Sequence, residues 1–515
     1  MDRLRTPVQP QRREATLALP ETPERFLAHP HSLWIAIAAA WGIRLVLAWL
    51  SLRLGFVEYN ADGFTRVIHG YEWLQNPRWE VGVWLPLHFW LLGGALAIWD
   101  NLYLAPKLLA TLAGLATITN LALVGATLAG RRAGALTALV VAAFPYEVWF
   151  SVSGMAEPVF HAFVSGAALG LARWWVTGSG RPLVLGALSL MAATAVRYEG
   201  WFYAAVWAAL VLGGGWLRGW LRGRRQAGVV LGALLPFLFI GVWLQQNYAL
   251  FGDPLAFARE TAAIKTELDP ANVSASLLQR LLAYPRALLQ IVRVVVVAST
   301  GAALWLLLRH PRRWGVHVVF VGGQALLLIL VTATFANLGP GAERYLLSNV
   351  VLLLPALAAA ALDLWDLRPT GWGATSRNVQ RAARLVAVLG VVLLLASFGR
   401  RLAAPPRDYP DPDTRDLAPV LTTALREPDP LGRPFVPVVL PHPPADAYNA
   451  GYALRILTGQ PDTVVVTDQP ALLTDMLATH GARLWVVDTT AEVDPPAAER
   501  SITVGRFIIG WPAGE

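Results

Sequence analysis

The sequence predicts a polytopic all-α membrane bundle of about eleven transmembrane helices, with outer-face juxtamembrane helices and a small C-terminal α/β soluble domain. Three observations predict it. Of the 515 residues, 55% are hydrophobic and only 15% charged, with a mean hydropathy of +0.48; a soluble chain of this size carries more charge. The apolar residues fall in repeated runs of roughly 17–25, the length that crosses about 30 Å of hydrocarbon as helix. Beyond Arg400-Arg401 the composition turns to Pro, Asp and short β-rich runs.

The formal net charge of +8 and a pI near 10.0 would suit a nucleic-acid partner. The cations, however, sit mainly in short connectors between apolar runs, which is the positive-inside pattern of membrane proteins rather than a basic patch. No nucleic acid is expected. The chain has no Cys, which removes disulfides, thiolate catalysis and Cys-built metal sites. The His residues lack metal-ligand spacing, so neither a metal nor a cofactor is expected.

In chain order, residues 1–31 are polar, carry Arg3, Arg5, Arg12, Arg13 and Arg25, and precede an uncleaved first span at 32–54. That flank places the N-terminus in the cytoplasm. Arg44 falls mid-span, where a bare charge is costly, so it should face the bundle interior and a partner. The first outer loop, 55–103, is too long for an ordinary connector. Within it, 83–99 is short, broken by Pro86 and rich in Trp, as suits an interfacial helix. If it crossed, Arg131/Arg132 and every later basic connector would lie outside. If it stays on the outer face, all of them lie inside, and this is the topology adopted.

Further spans are expected at 104–129, 133–151, 158–177, 182–196, 199–214, 227–247, 286–308, 315–335, 345–366 and 384–399. The membrane domain is therefore 32–400, followed by a Pro/Asp linker at 401–412 and an extracytoplasmic domain at 413–515. In that domain β-rich runs at Phe435–Leu440, Thr463–Val466, Arg483–Val487 and Ile502–Ile509 alternate with helical stretches at Ala445–Thr458 and Pro470–His480. The alternation predicts a small parallel sheet.

The outer connectors concentrate acids and a few isolated cations, among them Arg66, Arg78, Arg197, Arg259 and Arg344. Asp62, in Asn60-Ala61-Asp62-Gly63, stands where a turn presents a carboxylate at a helix start. It reads either as the N-cap of a helix over Gly63–Leu74 or as a catalytic base. Glu58 reads as a solvated acid or one supporting the base. His88 lies on a stripe with Trp84, Phe89 and Trp90, suited to anchoring at the interface or to binding a lipid phosphate or sugar. Glu157, before Pro158, suits the first turn of a helix by the macrodipole, or a cavity role. Arg197 and Glu199 share a tight outer turn, as a solvated pair or as site residues. Arg344, in Glu343-Arg344-Tyr345, could snorkel to headgroups or bind phosphate.

The early acidic outer loop, the WLPLHFWLLGG segment, Met155-Ala156-Glu157-Pro158 and Arg344-Tyr345-Leu346-Leu347 before an apolar run resemble the GT-C glycosyltransferases. The resemblance covers about 55–360 and is closest to the group with protein O-mannosyltransferases and aminoarabinose transferases, as in glycosyltransferase family 39. It implies a polyprenyl-phosphate sugar donor, inversion at the anomeric carbon, and a first-loop base at Asp62. It implies also that Arg344 and Tyr345 lie near the donor phosphate. Many relatives carry Asp-Glu in this loop, whereas this chain has Asp62-Gly63, more like the glycosylphosphatidylinositol mannosyltransferases.

The expected activity is therefore transfer of a sugar from a polyprenyl-phosphate donor to an acceptor hydroxyl on a lipid, glycan or protein, at the outer face of the plasma (inner) membrane. Asp62 would be catalytic, and Arg344, Tyr345, His88, Arg197, Glu157, Glu199 and Glu58 would bind donor phosphate or substrate. The competing classes are a multi-span transporter or flippase of lipid-linked substrates and a non-catalytic envelope scaffold. The spans show no inverted repeat, and the charges cluster in outer loops rather than mid-membrane, which disfavours transport.

Overall fold

The structure is a computed structural model, and it describes residues 31–79, 83–221, 225–268, 275–335, 343–366, 373–404, 409–426, 436–439, 446–467, 482, 484–491 and 494–512. The membrane domain runs α1 (Ser32–Arg53), α2 (Ala61–Gln75), α3 (Leu87–Ile98), α4 (Leu104–Ala129), α5 (Arg131–Ala143), α6 (Pro145–Phe150), α7 (Glu157–Thr177) and α8 (Gly180–Thr194). It continues through α9 (Glu199–Leu217), α10 (Gln226–Leu234), α11 (Phe237–Phe251), α12 (Ala256–Leu268), α13 (Leu277–Arg309), α14 (Pro311–Phe335), α15 (Glu343–Trp365) and α16 (Gly373–Ala403).

Among the described residues eight helices, α1, α4, α7, α9, α13, α14, α15 and α16, are long and apolar enough to cross a membrane, and the bent pair α10–α11 makes a ninth. The chain is a multi-pass membrane protein. Two of the eleven expected spans turn out shorter. The run at 133–151 breaks into α5 and α6 at Phe144-Pro145, because Pro145 opens a new helix and cannot donate back into the old one. The run at 182–196 is the 15-residue α8, about 22 Å long at the usual helical rise. The expected span at 227–247 bends by 45° at its break, where Pro236 stands before α11. Helix α3 has 12 residues, about 18 Å, well short of the roughly 30 Å of hydrocarbon.

Small residues let the central helices approach closely, as apolar surface alone gives no drive for association in lipid. A Cβ on Gly170 of α7 would lie 2.5 Å from the Cα of Gly186 in α8. Arg44 is fully buried, as its mid-span position demanded. It donates to the carbonyls of Val141 and Ala142 at the end of α5, to the Glu147 carbonyl and to Ser151 Oγ. The Glu147 carboxylate lies 4.0 Å away and holds His161 at 2.5 Å. The charge that looked costly in sequence caps a helix end that Pro145 leaves open.

The C-terminal region comprises α17 (Pro412–Arg426), β1 (Val436–Val439), α18 (Asp446–Leu457), β2 (Val464–Thr467), β3 (Trp485–Asp488), β4 (Ala498–Val504) and β5 (Phe507–Pro512). Its sheet has the order β2-β1-β3-β5-β4. The β2-β1-β3 part is parallel as expected, but β5 runs antiparallel to both β3 and β4. The sheet is therefore mixed. The run read as one strand at Ile502–Ile509 is a hairpin, reversing at Gly505 with φ +54°, a conformation open to glycine without a Cβ clash. The helical stretch expected at Pro470–His480 lies outside the described residues.

Candidate active site

Helix α2 begins at Asn60, whose side chain accepts from the backbone N–H of Asp62 at 3.2 Å. Asn60 is the cap, so the carboxylate of Asp62 is free of that duty and sits in the first turn. There the helix dipole favours an anion. Gly63 follows for a steric reason: a Cβ there would come within 2.3 Å of the Glu58 carboxyl carbon. A side chain at position 63 would therefore fall in the space that the Glu58 carboxyl fills.

Glu58 is only 3% exposed and does not line the cavity described below. Its carboxyl accepts from the backbone N–H groups of Gly154, at 2.7 Å, and Tyr59, at 2.9 Å. Burial pushes this carboxyl up to about 7, against Lys107 and the two N–H groups. Gly154 in turn lies so close to α2 that a Cβ would meet the Gly63 carbonyl at 2.7 Å. Glu58 thereby ties the first loop to the Met155–Pro158 segment, a bracing position rather than a solvated one.

That contact carries Glu157 toward Asp62. Asp62 Oδ2 accepts from Arg344 Nη2 at 2.8 Å. Arg344 Nη1 is 3.6 Å from Glu157 Oε1, which also accepts from Arg197 Nη1 at 2.8 Å. Arg197 donates through Nε and Nη2 to Glu199 Oε1, at 3.0 and 2.6 Å. The guanidinium of Arg197 stands 5.5 Å from the Tyr345 ring centroid. Four separate stretches of sequence therefore meet in one ion-pair chain, Asp62–Arg344–Glu157–Arg197–Glu199.

The chain borders a cavity of about 810 Å³ lined by Asp62, Arg66, Arg197, Glu199, Arg344 and Tyr345 together with a long apolar wall. Trp84, Trp201, Phe237, Ile240, Phe257 and Leu328 belong to that wall. Phe257 of α12 stacks on Tyr198 at 4.7 Å, which brings this helix against the cavity. Glu157 and His88 stand behind the lining, each 1% exposed. The His88 ring lies beside the backbone of Met155, and burial with Arg66 and Arg197 nearby holds its pKa well below the usual imidazole value. At neutral pH it is an uncharged strut between α3 and the 155–158 segment, not a cation for phosphate.

Arg66 is a residue that sequence reading did not place in the site. It lines the cavity and makes no ion pair among the described residues, and its Nε and Nη1 lack partners. Its guanidinium lies over Trp84 at 4.7 Å and Phe89 at 5.8 Å. Burial lowers its pKa to about 10, so it stays cationic at neutral pH. The signal was available in the spacing, since a residue four positions after Asp62 shares its helix face. Burial raises the pKa of Asp62, but Arg344, Arg66 and Arg197 outweigh it and hold the carboxyl below the usual aspartate range. Asp62 is ionised at neutral pH.

No protein-family model matches the chain, and no curated protein matches its sequence. Solved structures do match in fold. ArnT from Cupriavidus metallidurans bound to undecaprenyl phosphate superposes with a TM-score of 0.56 at 15% identity, over 94% of this chain and 98% of that one. The same enzyme in the apo state gives 0.53 at 15% identity, over 93% and 97%. The Archaeoglobus fulgidus oligosaccharyltransferase in complex with Zn and sulfate gives 0.52 at 13% identity, over 89% and 68%. A helical membrane domain continued by a small soluble domain, over nearly the whole length of ArnT, is what the early acidic loop and the Arg344-Tyr345 motif implied: the chain has the fold of the GT-C membrane glycosyltransferases.

Proposed function

We propose that the protein is an inverting glycosyltransferase that moves a sugar from a polyprenyl-phosphate donor to an acceptor hydroxyl at the outer face of the plasma membrane. One observation carries the reading: an ionised carboxylate, Asp62, held at 2.8 Å by Arg344 on the border of a cavity whose remaining wall is mostly apolar. An apolar wall suits a prenyl chain, and arginines at its charged end suit a phosphate.

In this reading the donor phosphate takes hydrogen bonds from Arg344 and Arg66, with Arg197 adding charge at longer range. Arg344 then shares its donors between phosphate and Asp62, and the freed carboxylate becomes the stronger base. The acceptor oxygen attacks the anomeric carbon as its proton passes to Asp62. The bond from that carbon to the phosphate oxygen breaks on the opposite side, and polyprenyl phosphate leaves with the electron pair. A single displacement inverts the anomeric centre. Glu157 and Glu199 hold Arg197 and Arg344 in place, and such preorganised charge is where transition-state stabilisation is largest. Purified protein given polyprenyl-phosphate sugars should release polyprenyl phosphate and form an inverted glycoside. Donor binding without turnover would favour a flippase or scaffold instead.

Arg66 offers a test through pH. Because Arg66 helps to depress the pKa of Asp62, Arg66→Gln should raise it and move the acidic limb of kcat/KM to higher pH, with weaker donor binding. Arg66→Lys should keep the limb near its original place. An unmoved limb in Arg66→Gln would mean that another group titrates there.

The proposed orientation places the N-terminus and basic connectors in the cytoplasm and α12 with the C-terminal domain outside. Cysteines introduced singly at the exposed positions Arg131 and Arg312 of this Cys-free chain should resist impermeant reagents in intact cells. Those at the exposed positions Glu260 and Ser501 should label. The reverse pattern would invert the topology.

A further inference from the structure

We propose that the C-terminal domain is the buttress of the catalytic helix: α18 holds α2, and through it Asp62 and Arg66, in working geometry by way of Arg455, Glu72 and His69. The inference deepens the reading of the site above and rests on it for the word catalytic.

Helix α2 has a cavity on one face, toward which Asp62 and Arg66 are turned, and a helix bordering empty space must be supported from behind. Its rear face is apolar: Phe64, Val67 and Ile68 are buried in a cluster completed by Ala453 and Ile456 of α18. The domain reached through the linker therefore shares a hydrophobic core with the helix that carries Asp62. Polar ties reinforce the contact at the far end of α2. Tyr71 donates to Asp462 Oδ2 at 2.6 Å. Arg455 Nη1 reaches Glu72 Oε1 at 3.4 Å, while its Nε is anchored on the Pro461 carbonyl at 2.8 Å. The other Glu72 oxygen meets His69 Nδ1 at 3.0 Å. The near end is pinned too, since Tyr409 N–H donates to the Glu58 carbonyl at 2.9 Å and Arg415 to that of Gly55 at 3.4 Å.

His69 passes this grip into the site. It lies one turn beyond Arg66 on the same face of α2. Its ring sits edge-on to Trp84 and Phe89, with centroids 5.7 and 6.0 Å away. Those are the two rings on which the Arg66 guanidinium rests. Tyr452 of α18 also flanks the His69 ring, at 6.3 Å. A movement of α18 thus displaces His69 and Glu72, and the aromatic pair carries it to Arg66. Arg455, Glu72 and His69 are positioning residues, remote from the reacting atoms.

The test uses the full chain in lipid nanodiscs. Arg455→Glu turns an attraction to Glu72 into a repulsion, and amide hydrogen exchange across 61–75 should quicken by about fivefold, with α4 and α7 unchanged. Adding Glu72→Arg restores an opposite-charge pair and should slow exchange again. Sugar-transfer kcat should fall and recover in parallel, whereas damage confined to the C-terminal domain would not be rescued from α2. Should Arg455→Glu fold poorly, Asp462→Asn weakens the bond from Tyr71 with little change of shape and should quicken exchange in the same helix. Wild-type exchange in these variants, or no rescue by the swapped pair, overturns the proposal. Exchange needs no substrate, so a wild-type protein inert toward polyprenyl-phosphate sugars would sink the proposed activity while leaving this result readable.

Discussion

Asp62→Asn should abolish sugar transfer by at least about 10²-fold, the contribution that general acid–base catalysis typically makes, while the protein folds and still binds donor lipid. The substitution is close to isosteric, and the helix cap is unaffected because Asn60 supplies it. An amide oxygen can still accept from Arg344, so the arrangement of arginines around the cavity persists. What is lost is the proposed proton acceptor. Asp62→Glu keeps the acid but moves it about 1 Å, a displacement that can itself cost on the order of 10²-fold. Normal turnover by Asp62→Asn would remove Asp62 as the base. Glu199 is the other carboxylate on the cavity wall among the described residues and would be tested next.

The second large effect is expected at Arg344, which reaches both Asp62 and Glu157. On the proposed mechanism Arg344→Ala removes a donor to the departing phosphate, and activity should fall by about 10²-fold or more. It also strips Asp62 of its strongest cationic neighbour, so its pKa rises and the acidic limb of the pH–rate profile moves upward. Arg344→Lys should recover the charge but not the planar fork that spans two partners, and should restore activity only in part. Binding of radiolabelled polyprenyl phosphate separates the roles: it should weaken in Arg344→Ala and hold in Asp62→Asn. Undiminished binding in Arg344→Ala would shift the phosphate site to Arg66 and Arg197.

Much of this site was legible residue by residue and little of it as a constellation. Asp62, Glu157, Arg197, Glu199 and Arg344 were each visible because charges are scarce in an apolar chain, and those outside the basic connectors stand out. Composition and spacing left each an ordinary reading beside the functional one, and the roles given to them came with the family resemblance. A helix-start acid, a solvated turn pair and a snorkelling arginine are ordinary readings until the helices are packed, and packing is set by contacts far apart in sequence. Glu58 shows this most plainly: an acid in a polar loop read as solvated or as supporting the base, and the close approach of Gly63 and Gly154 buries it. Arg66 was overlooked although its spacing from Asp62 was legible, since its lack of an ionic partner among the described residues is a property no sequence displays.

By itself the sequence determined that this is a multi-pass helical membrane protein, because runs of apolar residues are a local property and water and lipid sort them without reference to the rest of the chain. Pro145 and Gly505 act on their own backbone, so the break before α6 and the hairpin turn are local features too, although a single span at 133–151 and a single strand at Ile502–Ile509 were expected there. Only the tertiary structure decided that Asp62 meets Arg344, 282 residues away in the chain, that Arg44 caps the end of α5, and that the C-terminal domain lies against α2 instead of hanging from its linker. Those outcomes depend on which helices pack together and in what rotation. That choice is made by summed weak contacts over the whole bundle and is written in no single stretch.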